Sequence, residues 1–432
     1  MFARALAPVL ARQGVHYGWV VIAATFFSGL VMAGAVGLPG AFILPLSKEF
    51  GWDAAGISSA LAVRLALFGL LGPFSAALIE RYGVRRMMFA GQALVLTGIA
   101  ASLTMTSLWQ LFVYWGLMIG VGTGLTALVL SAIISTRWFT ERRGLVVGIL
   151  TAALATGQLV FLPLASWLIE RYGWRLALAP SMIAIALAAL VVLSLMVERP
   201  ADVGLKPYGE TDAAPAAPPP APVGNPVARA FGALREGAGV PAFWLLAGSF
   251  FICGLSTNGL VQTHFIPLCV DYGLQPVAAA SVLAMMGMFD FVGTIASGYL
   301  SDRVDSRKLL FWYYGLRGLS LLWLPHSTFT FYGLSIFAVF YGLDWVATVP
   351  PTVKLTGFAF GRERAGLVFG WIFASHQIGA AIAALGGGMS KTYLLTYAPA
   401  FYLAGAACLI AAGFSMMVGR KGQGGATAPA AA

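Results

Sequence analysis

Apolar residues fall in long uninterrupted runs, broken by short clusters of charge, glycine and proline. Twelve runs lie near residues 16–40, 54–78, 87–106, 108–132, 143–168 and 175–197, then 241–268, 276–300, 308–326, 329–352, 364–389 and 392–418. About 20 apolar residues, rising roughly 1.5 Å each, cross the ~30 Å of a bilayer's hydrocarbon, so each run predicts a transmembrane helix. The expected architecture is an all-α membrane protein of twelve such helices in two six-helix bundles. Residues 1–198 form the first bundle, and 199–240 form a linker containing the Ala/Pro-rich AAPAAPPPAPVGNP, which offers nothing to pack as a core. Residues 241–432 form the second bundle with a short tail. The first run follows a basic start, as in a signal peptide. It continues past residue 38 with no small-residue cleavage site before it, so it is read as a retained helix.

Composition agrees. The 432 residues are 59% hydrophobic and 10% charged, with a mean hydropathy of +0.85, whereas soluble domains carry about 25% charged residues. The net charge of +10 does not indicate nucleic acid, because the basic residues sit in short loops between the runs. With the N-terminus inside, twenty Lys and Arg face the cytoplasm and four (Lys48, Arg171, Arg175, Lys391) face away, which places both termini in the cytoplasm. Cys253, Cys269 and Cys408 lie in apolar runs without metal or disulfide spacing, and are read as small core residues. No cofactor, metal cluster, nucleophile motif or soluble catalytic domain is expected, which argues against an enzyme or a receptor.

The loops after the second and eighth runs echo one another, each ending a helix with an acid followed by basic residues: Glu80, Arg81, Arg85 and Arg86, then Asp302, Arg303, Arg307 and Lys308. LIERYG also occurs twice, at 78–83 and 168–173. Together with the twelve runs, these loops resemble the major facilitator superfamily, and the resemblance implies that they act as gating loops. HYGWVV at 16–21 and WFTERRGLVVGIL at 138–150 are similar to the monocarboxylate transporter and oxalate/formate antiporter branch. The chain departs from that branch in three places. His16 and Tyr17 stand where an acid is expected, Thr294 follows Asp290 where an arginine is expected, and the eleventh helix carries His376 in place of lysine.

A charge at mid-bilayer costs about 2.5–3.5 kcal/mol on insertion scales, so each needs a reason. Asp290 and Arg317 lie roughly 15 and 14 Å deep on consecutive runs, placed to pair. Such a pair is either a structural lock or a proton-coupled switch in which Asp290 takes the proton and frees Arg317 for a substrate carboxylate. Arg64, midway along the second run with no acid in that run, is a candidate carboxylate ligand. Asn258, Gln262 and His264 on the seventh run, Tyr341 on the tenth and His376 on the eleventh are candidates for a polar cavity wall, with Asp344 a second proton-coupling candidate.

The expected function is secondary transport of a small organic anion, a monocarboxylate, with a proton, by alternating access of the two bundles. The alternative is proton-driven efflux of an apolar or cationic compound. The expected partners are the anion, the proton and membrane lipid but no nucleic acid. The expected setting is a bacterial inner membrane, with the chain a monomer.

Overall fold

The computed structural model describes residues 2–125, 129–210 and 225–419. Among these, every element is helical except one isolated bridge between Phe139 and Tyr208. The first half comprises α1 (Phe2–Arg12), α2 (Gly18–Gly37), α3 (Pro39–Phe50), α4 (Ala54–Tyr82), α5 (Val84–Ser102), α6 (Leu108–Leu111), α7 (Gly120–Gly124), α8 (Val129–Trp138), α9 (Arg143–Tyr172), α10 (Trp174–Ala177) and α11 (Ala179–Leu195). Within the predicted 199–240 linker, α12 (Pro226–Ala238) is a helix with Ala230 and Ala233 buried, and the second half comprises α13 (Pro241–Gly254), α14 (Gln262–Asp271), α15 (Pro276–Arg303), α16 (Ser306–Trp323), α17 (Phe331–Asp344), α18 (Val349–Phe360), α19 (Arg362–Leu394) and α20 (Ala398–Met417). Two π-helical stretches, Phe112–Ile119 and Leu255–Val261, join α6 to α7 and α13 to α14.

Among the described residues, eight stretches are long and apolar enough to cross a membrane: Gly18–Phe50, Ala54–Ser75, Trp174–Leu195, Pro241–Asp271, Pro276–Ser301, Phe331–Phe360, Arg364–Leu394 and Ala398–Met417. The other four predicted runs coincide with α5, the α6–α8 segment, α9 and α16. Large apolar side chains stand outward as well as inward, with Phe340 66% and Leu403 71% exposed. That pattern suits a surface solvated by acyl chains, since a helix apolar all round needs an apolar environment all round.

Local sequence sets the helix ends. Asp53 caps α4 by accepting from Gly56 N at 2.7 Å, and Thr330 caps α17 through Gly333 N at 3.0 Å. The LIERYG echo is a shared turn: Gly83 and Gly173 end α4 and α9 with φ of 89° and 84°, values that favour glycine, and a new helix starts at the next residue.

Within the first half α2 packs on α9 and α11, and α5 on α11; within the second, α16 packs on α20, α15 on α17 and α13 on α19. The halves meet along a seam in which α4 runs beside α19, α9 beside α15, and α3 against α14. At the face away from the linker the seam is joined by polar bonds: Ala55 N donates to Thr392 Oγ1 at 3.0 Å and Val277 N to Glu170 Oε1 at 3.3 Å. At the linker face α12 lies across both halves. Its Phe231 ring sits 5.7 Å from Phe74 on α4 and 5.8 Å from Trp371 on α19, whose indole N–H donates to Ala230 O at 2.8 Å.

Candidate functional site

The tenth predicted run is not one helix. α17 stops at Asp344, residues 345–348 form an irregular turn, and α18 begins at Val349 with Pro350 and Pro351 in its first turn. A proline supplies no N–H and clashes with the preceding turn, so the pair enforces the interruption. An interruption at membrane depth leaves backbone groups that water cannot satisfy. Neighbouring helices satisfy them. From α16, Arg317 Nη2 donates to the carbonyls of Asp344 at 2.6 Å and Trp345 at 3.2 Å, while its Nε donates to Asp344 Oδ2 at 2.6 Å. From α15, Asp290 Oδ1 accepts from Val346 N at 2.9 Å, and Ser297 Oγ donates to Ala347 O at 2.5 Å. From α13, Cys253 Sγ accepts from Arg317 Nη1 at 2.9 Å and lies 3.3 Å from Thr348 Oγ1. The close approach of α15 and α17 depends on Gly293, where a Cβ would lie 1.9 Å from Leu343 O.

This arrangement corrects the expected Asp290–Arg317 pair. Both charges are buried, but Arg317, 1% exposed, pairs with Asp344. Asp290 is held instead by neutral donors, Val346 N–H and Thr294 Oγ1 at 3.0 Å. The interruption itself was legible in the adjacent Pro350 and Pro351 but lay inside a run read as a single helix.

Several other predicted site residues direct their polar atoms at backbone. Tyr341 donates to Ser256 O at 2.8 Å, and His264 Nε2 lies 2.7 Å from Ala384 O with Tyr397 beside it at 5.2 Å. Nearby, the π-helical turn frees the Asn258 carbonyl, which Thr263 Oγ1 takes at 2.9 Å. Gln262 is buried with its Nε2 unbonded among the described residues, and His376 is buried between Phe250 at 4.7 Å and Phe373 at 5.8 Å with Nδ1 unbonded. Phe373 also meets Phe68 across the seam at 5.8 Å, which puts His376 beside the junction of the halves. Arg64 turns into the first half, where Nη1 donates to Ala35 O at 3.4 Å and the side chain borders a void of about 10 Å³ together with Trp115 and Leu178.

The side chains of Glu80 and Asp302 lie outside the described ones. Their neighbours are engaged at helix starts. Glu198 accepts from Val84 N at 2.7 Å and Arg85 N at 2.9 Å, placing a negative charge at the N-terminus of α5, and Arg85 donates in return to Leu193 O. Arg137 joins Glu198 at 3.7 Å. In the second half Asp305 caps α16 through Arg307 N at 2.9 Å and pairs with the Arg307 side chain at 2.8 Å, a hydrogen-bonded contact that holds the Asp305 carboxyl below its ordinary value. Arg303 lies over Tyr299 at 3.6 Å, while Arg81 and Arg86 are exposed.

Residues 21–384 match the Major Facilitator Superfamily. The chain belongs to that superfamily. This facilitator is 27% identical over 404 residues to monocarboxylate transporter 13 of Rattus norvegicus, covering 92% of this chain and 88% of the relative. It is 24% identical over 423 residues to an uncharacterized MFS-type transporter, YcxA, of Bacillus subtilis (strain 168), covering 92% and 95%. In fold it is similar to a D-xylose-proton symporter, with a TM-score of 0.67 at 15% identity over 93% of this chain and 98% of that one. The facilitator is thus a multi-pass membrane transporter.

The two motifs that carry the branch resemblance meet in space and grip the start of the linker. His16 Nε2 lies 2.9 Å from Lys206 O, and Tyr208 pairs with the 138–140 backbone: Tyr208 N donates to Trp138 O at 2.8 Å and Thr140 N to Tyr208 O at 2.9 Å. The Tyr208 ring lies 5.5, 5.6 and 5.9 Å from His16, Phe139 and Trp19.

Proposed function

We infer that this facilitator is a proton-coupled carrier of a small organic anion, a monocarboxylate, working by alternating access of two six-helix bundles. One observation carries the reading. Asp290 is a carboxylate buried in a membrane helix and bonded only to neutral donors among the described residues, an arrangement that a proton can enter and leave. The names of the relatives supply the cargo class. With Thr294 in place of an arginine, recognition of the carboxylate passes to His376 beside the seam, with Asn258 and Gln262 on the seventh run, and to Arg64 within the first half. The eight apolar stretches and the four further helices make twelve spans with both termini in the cytoplasm, in a bacterial inner membrane.

A proton moving with a monoanion is electroneutral. The pH gradient then drives uptake, and the membrane potential, about 2.3 kcal/mol per charge per 100 mV, adds nothing. The test is uptake of labelled lactate, pyruvate and aromatic acids into proteoliposomes, with and without an inward proton gradient. The expected result is accumulation that depends on the gradient and is indifferent to an imposed potential. Absence of stimulation for every acid would overturn the reading. The second reading, proton-driven efflux of an apolar or cationic compound, draws on the two buried acids Asp290 and Asp344 against one buried base, Arg317, in this cluster. It predicts exchange of protons for lipophilic cations in the same vesicles.

A further inference from the structure

We propose that Arg317 acts as a positioning residue: it caps the broken tenth span and so holds Asp290 and Asp344 in working geometry, without touching the cargo. The inference deepens the proton-coupled reading and rests on it for the roles of the two acids.

The guanidinium makes more bonds than a counter-charge requires. One nitrogen meets the Asp344 carboxylate, a second meets two backbone carbonyls, and the third meets the Cys253 thiol at 2.9 Å and Ser256 Oγ at 3.5 Å. The two carbonyls belong to the last residue of α17 and the residue after it, which an unbroken helix would bond internally. A planar fork of five donors can serve carboxylate and carbonyls together, whereas an ammonium concentrates its donors at one point. The opposite polarity of the same turn, the Val346 N–H, is taken by Asp290. Arginine and aspartate therefore share one piece of backbone rather than a salt bridge. A change at Asp290 reaches the turn directly, and the turn carries it to Asp344, whose second oxygen, Oδ1, is buried without a partner among the described residues. The groups that face Arg317 leave its charge committed within the second half: its side chain is 0% exposed.

A plain salt bridge and a backbone cap respond differently to being removed as a pair. A buried ion pair replaced by apolar residues of similar volume is often tolerated. Orphaned carbonyls are not relieved by such a replacement. The native Cys253, at the turn, reports the difference without reference to cargo.

The experiment uses the purified full chain and measures N-ethylmaleimide alkylation of Cys253 by peptide mass spectrometry, with Cys269 as the internal control, alongside thermal melting and labelled lactate uptake. For Arg317→Met/Asp344→Leu we expect Cys253 to be alkylated about tenfold faster than in wild type, with Cys269 unchanged, as the orphaned carbonyls make local opening easier. Arg317→Lys should also speed alkylation and lower the maximal uptake rate, with KM for lactate unchanged. Ser297→Ala, which deletes one bond to the turn and no charge, should give a smaller rise in alkylation and guards against a double variant that fails to fold. Wild-type alkylation in the double variant or in Ser297→Ala would overturn the proposal. So would an Arg317→Lys protein with protected Cys253 and raised KM, which would make Arg317 a cargo ligand. If wild type takes up no lactate, the transport reading falls, while the alkylation series still decides the role of Arg317.

Discussion

Asp290 is a buried carboxylate whose observed bonds are structural and whose proposed role is in transport. Its Oδ1 accepts the Val346 N–H. Asp290→Asn retains an acceptor oxygen there, whereas Asp290→Leu orphans a buried donor, at about 1–3 kcal/mol. The leucine variant should therefore melt lower in detergent than the asparagine variant, while both lose the acceleration of uptake by an inward proton gradient. Equal melting of the two would remove Asp290 from the turn. That residues 64, 290 and 317 put charge inside apolar runs was legible from residue type and position alone, because a charge stands out against an apolar run. Their partners were not. Arg317 and Asp344 lie 27 positions apart on separate helices, and only helix packing selects Asp344 over Asp290.

Helix ends and linker attachments depend on a few side chains each. Two backbone N–H groups of α5 depend on Glu198. Glu198→Ala should cost about 0.5–2 kcal/mol, as for other lost N-terminal caps, and Glu198→Gln less, measured by thermal unfolding. The same side chain reaches Arg137, so raising salt should narrow the difference. The clasp on Tyr208 makes a second prediction. Removing the ring by Tyr208→Ala forfeits aromatic contacts worth about 0.5–1.5 kcal/mol each and should speed limited proteolysis between residues 204 and 210 by several-fold, leaving the 138–140 backbone bonds to set the residual protection. No change in cleavage would show that the ring adds nothing to the backbone pairing. HYGWVV and WFTERRG stood out in the sequence as motifs, but their shared target could not be read there, since Lys206 and Tyr208, which follow both in the chain, meet them through backbone and one ring.

At the scale of the whole molecule, the proposed alternating access would act at the seam between the halves, whose face away from the linker is joined by Ala55 with Thr392 and Glu170 with Val277. Cysteines placed at 55 and 392 and joined by a short bis-maleimide should arrest uptake in proteoliposomes, while the same pair left unlinked should transport. Transport by the linked protein would place the moving contacts elsewhere. At the linker face, Phe231→Ala takes away the ring that α12 sets between Phe74 and Trp371. It should favour opening on that side, seen as faster maleimide labelling of a cysteine introduced at Phe74.

By itself the sequence determined that this is a helical membrane protein and where eight long apolar spans lie, because hydrocarbon imposes length and apolarity on each span separately. It also set the places where charge falls within apolar runs, because that cost is local. Tertiary structure alone decided which groups the charges bond. In a medium without water, backbone groups released by the prolines at 350 and 351 and by the π-helical turn at 255–261 need donors and acceptors, and which side chains supply them depends on neighbouring helices that no single run of sequence contains.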